Sequence, residues 1–269
     1  IGCDFVNFPL HPRLAAIVCY AKENGFAADG LLAAAIISEG RVLGRNRAFE
    51  KGPCDLCFQI DAFKRIHHGI GFDSDDWETR ERSIDQRAVG RVLKLFNSLA
   101  SSVGASKKVP KEEIDTDKII KAVLHGYPDR VARHRDIKRT GCGSKKKARP
   151  GPALYNFCLG RGGVLAESSV LKEPEFLIAV EATEQLSASN AAKGTMIHVG
   201  SSVTPAQLGC DPAGFIKKTL ESEFVDSKGT AEIREVVSYG SVIISERVIE
   251  GDASTPEERR NSKRFKRPS

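Results

Sequence analysis

Ala122-Val-Leu-His-Gly-Tyr-Pro-Asp-Arg-Val-Ala-Arg-His-Arg135 decides how this chain is read. Gly126 can adopt the left-handed conformation that closes a helix, and Pro128 biases Tyr127 away from the helical region. A helix carrying Ile119, Ile120, Val123 and Leu124 is therefore expected to stop at Gly126. Beyond Pro128 the period changes, with Val131, Arg133 and Arg135 on one side of an extended segment and Arg130, Ala132 and His134 on the other. Residues before this point read as helical and those after it as short strands, which makes it the seam between two units.

Working outward on the N-terminal side, hydrophobic stripes at helical spacing recur. Pro12 suits a first helical turn, and Leu14, Ile17 and Val18 come after it, with Gly25 as the stop. A second helix is expected from about Ala28 to Glu39, a third around Leu56, Ile60, Phe63 and Ile66, and a fourth through Val89, Val92, Leu93, Phe96 and Leu99. Asp115 is placed to cap the helix before the seam.

On the C-terminal side the segments are short and rich in β-branched residues. Strand candidates are 130–135, 153–159, 163–167, 175–183, 195–200, 230–238 and 241–249, with a short helix expected within Thr204–Leu220. Strands of this length with one late helix suit a small five-stranded barrel of the oligonucleotide-binding (OB) type. The fold class is thus α+β, an N-terminal helical domain over 1–126 followed by an OB-like barrel over 127–251. Residues 136–152 form a basic insertion in the barrel, and 252–269 read as a disordered basic tail.

Composition sets the class of protein. Hydrophobic residues make up 41% and charged residues 28%, as in a soluble globular chain, and no apolar run nears the roughly 20 residues of a bilayer span. The chain begins at Ile1 and reads as part of something longer, with no targeting leader in view. Its seven scattered cysteines suit reduced thiols in the cytoplasm, an organelle being the alternative compartment.

The net charge of +6 is modest, so its placement matters more. Arg130, Arg133, Arg135, Lys138, Arg139, Lys145, Lys146, Lys147 and Arg149 crowd into one span offset only by Asp136. Such a run on a barrel strand and its hairpin would present cations to phosphates; the bland alternative is a solvated basic loop. Tyr155 and Phe157 come next, either as stacking faces or as core residues. Gly160-Arg161-Gly162-Gly163 suits a tight hairpin turn at least as well as a binding loop, although Arg161 could grip a phosphate through two N–H groups.

Enzymatic signatures are missing from the sequence. Gly141-Cys-Gly-Ser-Lys-Lys-Lys147 lacks the G-x-x-x-x-G-K-[ST] order of a phosphate loop, and there is no G-x-S-x-G, H-E-x-x-H or D-E-x-H motif. Cys54-Asp-Leu-Cys57 with His67 and His68 has the residue types of a zinc site, but there is no second C-x-x-C and the histidines are adjacent. No catalytic residue and no metal ligand is assigned, and a zinc-dependent enzyme built on those four residues is kept only as a competing class.

Five blocks in order resemble the C-terminal half of DExH-box RNA helicases of the HrpB type: Phe8-Pro-Leu-His-Pro-Arg-Leu-Ala15, Ala33-Ala-Ala-Ile-Ile-Ser-Glu39, Tyr127-Pro-Asp-Arg-Val-Ala-Arg133, Leu159-Gly-Arg-Gly-Gly-Val-Leu165 and Glu175-Phe-Leu-Ile-Ala-Val-Glu181. Tyr239-Gly-Ser-Val-Ile-Ile-Ser-Glu246 is a fainter echo. The resemblance implies a winged-helix remnant and a ratchet-like helical domain, then an OB fold. It also implies single-stranded RNA, RecA-like motor domains of the same polypeptide and a protein activator docked on the barrel as partners. ATP and magnesium are implied for those motor domains, with no cofactor for this chain and no membrane. The competing reading is a stand-alone OB-fold module that binds nucleic acid or docks a protein. A P-loop and D-E-x-H box encoded upstream of Ile1 would favour the helicase.

Overall fold

The computed structural model describes residues 10–44, 51–71, 84–135, 153–185, 194–225 and 230–249. Two units emerge, one running to Gly214 with the helices and a barrel, the other from Phe215 with a three-stranded sheet.

Among the described residues five helices build the first part: α1 (Pro12–Glu23), α2 (Ala27–Glu39), α3 (Asp55–His68), α4 (Gln86–Val103) and α5 (Thr116–Gly126). Their starts obey local chemistry. Pro12 opens α1, the Asp85 carboxylate accepts from the backbone N–H groups of Arg87 and Ala88, and Asp115 accepts from Lys118 N–H. On α4 the expected Val92, Phe96 and Leu99 are buried together with Ala88 and Ala100, while Val89 and Leu93 are half-buried at the edge of the stripe. Helix α2 is nearly all small or aliphatic and is buried from Gly30 to Ile36, so α1, α3, α4 and α5 all pack against it.

Gly126 does not end α5 in the left-handed conformation. It is the last helical residue, and a Cβ there would lie 2.6 Å from the Arg13 carbonyl oxygen and 2.8 Å from Ile17 Cγ1. Its missing side chain lets α5 touch α1, while the stop is made by Tyr127, which leaves helical geometry (φ −132°, ψ 47°) ahead of Pro128. A 3-10 turn, Pro128–Arg130, then leads into the first strand.

Strands β1 (Val131–His134), β2 (Leu154–Phe157), β3 (Gly162–Leu165), β4 (Phe176–Gln185) and β5 (Gly194–Ser202) close a barrel in the order β1-β2-β3-β5-β4. Only the β3–β5 pair is parallel. This is the arrangement of an OB-like barrel. Ala132, Tyr155, Phe157, Leu165, Leu171, Leu177, Ala179 and Ile197 fill it. Tyr155 and Phe157 are therefore core residues rather than stacking platforms, and the Tyr155 hydroxyl donates to the Pro174 carbonyl at 3.1 Å.

After β5 comes a four-residue helix, α6 (Pro205–Leu208), capped by Thr204 and Gln207 in a reciprocal box. That is the short helix expected within Thr204–Leu220, and the end of the same segment is the start of a strand not expected there, β6 (Ile216–Val225). With β7 (Thr230–Tyr239) and β8 (Val242–Ile249) it forms an antiparallel meander. The five barrel strands already pair in a closed ring, so these later strands find their partners in one another. Within that sheet Tyr239 is buried and stacks on Phe215 at 5.3 Å.

The helices are fastened to the barrel through Asp55, at the start of α3. Its carboxylate accepts from Val170 N–H at 2.7 Å, Gly200 N–H at 2.9 Å and the Ser169 hydroxyl at 2.8 Å. Burial pushes this carboxyl above its usual range, against the pull of those three donors. Cys54 pairs with Ser201 beside it, and Ser202 N–H donates to the Pro53 carbonyl at 2.7 Å. No helix among the described residues is long and apolar enough to cross a membrane.

Candidate nucleic-acid interface

The seam is held by charge and aromatic faces together. Tyr127 is buried with one guanidinium over its ring from α1 (Arg13, 5.2 Å to the centroid) and another from the 3-10 turn (Arg130, 5.4 Å). Each such contact is worth about 0.5–2 kcal/mol depending on desolvation. Arg13 also grips Asp129 through two parallel bonds of 2.5 and 2.8 Å. Those bonds hold the Asp129 carboxyl below its usual range, and burial pushes the Tyr127 phenol up. The Cys158 thiol, donating to the Asp129 carbonyl at 3.2 Å, is pushed up to about 11 by burial.

A groove of about 490 Å³ opens beside this clamp, where the β2–β3 hairpin faces the seam. Its cations are Arg13, Arg130 and Arg161, set against Asp129 and Glu184. Arg130 is anchored by a bond to the Val180 carbonyl at 3.1 Å. Arg161 pairs with Glu184 at 2.8 Å, with both side chains more than two-thirds exposed, so solvent screens this pair and a phosphate oxygen can compete for the guanidinium. Leu159, 62% exposed, forms an apolar lip.

The hairpin turn is what the glycine-rich spacing suggested. Phe157 N–H donates to the Arg161 carbonyl, and Gly160 sits at φ +87°. Gly163 has a second duty, since a Cβ there would fall 2.7 Å from Phe157 Cε2 and 3.2 Å from Ile197 Cδ1.

Of the cations singled out from sequence, the structure gathers Arg130 and Arg161 at the groove. Arg133 lies elsewhere on β1, 3.2 Å from Glu175 and over the Phe176 ring at 5.5 Å. Arg135 comes directly after β1 as an exposed residue whose N–H donates to the Leu154 carbonyl. Lys138, Arg139, Lys145, Lys146 and Lys147 fall in the β1–β2 connection, outside the described residues. Arg13 was missed by sequence reasoning; its only local mark is the His11-Pro-Arg13 start of α1.

Cys54 and Cys57 lie at the start of the 14-residue α3 and His67 and His68 at its end. At 1.5 Å rise per residue the two pairs are roughly 20 Å apart, too far to share one ion. Among the described residues no group of three or more His, Cys, Asp or Glu side chains is placed to hold a metal ion.

The helices and closed barrel define an α+β chain with an OB-like barrel. Its fold is similar to part of the crystal structure of the Escherichia coli DExH-box NTPase HrpB, at 21% identity and a TM-score of 0.50. That match covers 96% of this chain and 25% of the HrpB chain, so the chain spans about a quarter of the length of this neighbour. A second structure, of the E. coli DEAH/RHA helicase HrpB, aligns at 20% identity with a TM-score of 0.48, covering 93% of this chain and 24% of that one. No protein-family model matches the chain. No curated protein matches it either.

Proposed function

We propose that this chain is a non-catalytic RNA-binding accessory region of an HrpB-like ATP-dependent RNA helicase. The observation that carries the reading is the fold likeness over 96% of the chain to a quarter of a DExH-box NTPase, with a dense basic run in the β1–β2 connection of the barrel. In OB folds that connection and the strand 2–3 face are where oligonucleotides bind. On this reading 1–126 is the winged-helix remnant and ratchet-like unit, and the OB barrel follows it, closed by strands within 131–202. RecA-like motor domains of the same polypeptide supply ATP and magnesium chemistry in the cytoplasm.

The grip on RNA is electrostatic. Arg130 and Arg161 hold phosphates at the groove, helped by Arg133, Arg135, Lys138, Arg139 and Lys145–Lys147 on β1 and its connection. If about five cations reach phosphates, log affinity for single-stranded RNA falls against log salt with a slope near −3.5. Fluorescence anisotropy of a labelled oligouridine across a salt series measures this. Replacing Lys145, Lys146 and Lys147 with Ala should weaken binding about equally for all sequences. An affinity indifferent to salt would remove the basic run from the reading and leave the stand-alone or protein-docking module.

A further inference from the structure

Cys54 and Cys57 lie outside the groove that Arg130 and Arg161 line, yet their chemistry is specific. Cys54 is the N-cap of α3 and Cys57 stands three residues on, so the C-x-x-C spacing spans the first helical turn. Cys54 Sγ accepts from Cys57 N–H at 3.2 Å and lies 3.0 Å from Ser201 Oγ. Against burial, which opposes charge, these groups draw the Cys54 thiol down. The Cys57 thiol is pushed up, first by its bond to Cys54 and then by burial. The helix-start N–H aimed at Cys54 Sγ stabilises negative charge on that sulfur, which singles it out as the nucleophile of the pair.

Access selects the reactant. Cys54 is 2% and Cys57 8% exposed, but both line a cleft of about 390 Å³ shared with Lys51 and Thr116. A water-sized oxidant fits such an opening; a folded thiol–disulfide partner does not. We propose that Cys54 and Cys57 form a peroxide-oxidisable dithiol in which Cys54 attacks and Cys57 resolves.

In the first step the Cys54 thiolate attacks one peroxide oxygen, an S–O bond forms and the O–O bond breaks. The departing oxygen takes the proton lost by the Cys54 thiol and leaves as water or an alcohol, with Cys54 as the sulfenic acid. In the second step Cys57 sulfur attacks that sulfur, the S–O bond breaks, and hydroxide leaves with the Cys57 proton as water. Two electrons pass from the sulfur pair to the peroxide, and an external dithiol returns them. The dithiol stands apart from the RNA-binding proposal, and either can fail alone.

The full chain is treated with hydrogen peroxide, alkylated, digested with trypsin and read by mass spectrometry. Cleavage after Lys51 and Lys64 gives a peptide, Gly52–Lys64, whose only cysteines are Cys54 and Cys57. The expected product is that peptide lighter by two hydrogens, unalkylated, and restored by dithiothreitol. Cys57→Ser should lose the disulfide and yield a Cys54 sulfenic acid captured by dimedone; Cys54→Ser should yield neither. The proposal is overturned if both thiols of the wild-type peptide remain alkylatable while exposed Cys210 oxidises, or if dimedone marks Cys57 in Cys54→Ser. The wild-type measurement decides alone should either variant fail to fold.

Discussion

Removing the Asp55 carboxylate tests how the helices are fastened to the barrel. In Asp55→Ala three donors, the Val170 and Gly200 amides and the Ser169 hydroxyl, lose their acceptor at a site where burial keeps water out. Each stranded buried donor costs about 1–3 kcal/mol. The hydroxyl can turn to another partner, so the two amides set the loss, about 2–6 kcal/mol in total. The raised carboxyl pKa trims this toward the lower half, because the wild-type charge is itself penalised by burial. At about 2–4 °C per kcal/mol for a unit of this size, a loss of about 2–4 kcal/mol should lower the melting temperature by roughly 4–16 °C. Urea unfolding followed by far-UV circular dichroism supplies the free energy, with Asp61→Ala, which breaks an exposed i,i+4 pair with Arg65, as a control expected within about 0.5 kcal/mol. An Asp55→Ala protein as stable as that control would refute the fastening role. Stability also carries a pH dependence from this group. With the folded pKa above the unfolded value of about 3.9, the Asp55 contribution is fully present below the unfolded pKa and lost as pH rises through the folded one. Asp55→Asn should remove that acid-side component.

The seam and the hairpin give further tests. Arg13→Ala should destabilise by roughly 1–2 kcal/mol at neutral pH after allowing for solvent screening of a partly exposed pair. Since Arg13 depresses the Asp129 pKa, the gap between wild type and variant should narrow as pH falls below about 4, to the part carried by the Tyr127 ring contact, measured by urea midpoints. Gly163→Ala should cost about 1–3 kcal/mol because the new methyl meets the Phe157 ring. Gly162→Ala, whose nearest neighbour would be the Tyr155 carbonyl oxygen at 3.9 Å, should stay within about 0.5 kcal/mol by the same thermal assay. If Arg161 contacts RNA, Arg161→Ala should lower the magnitude of the salt slope for single-stranded RNA by about 0.7 while leaving the melting temperature unchanged.

The helical stripes, the cap at Asp115, the break at Pro128 and the glycine turn around Arg161 were legible in the sequence. Each depends on residues within a few positions of one another, where spacing and φ restrictions act directly. The role of Gly126 was not legible. A glycine at a helix end reads as a left-handed stop, and only the approach of α1 shows that its missing Cβ is a packing requirement.

Tertiary structure alone decided which strands close the barrel, that Tyr155 and Phe157 point inward, and that Arg13 meets Asp129 across 116 positions. It also turned Cys54 from a doubtful metal ligand into a helix cap beside a second thiol and a cleft. Local periodicity fixes the backbone of an element and which of its faces is apolar. Which distant groups that face meets depends on ring closure among strands far apart in the chain, and no spacing rule along the sequence encodes that pairing.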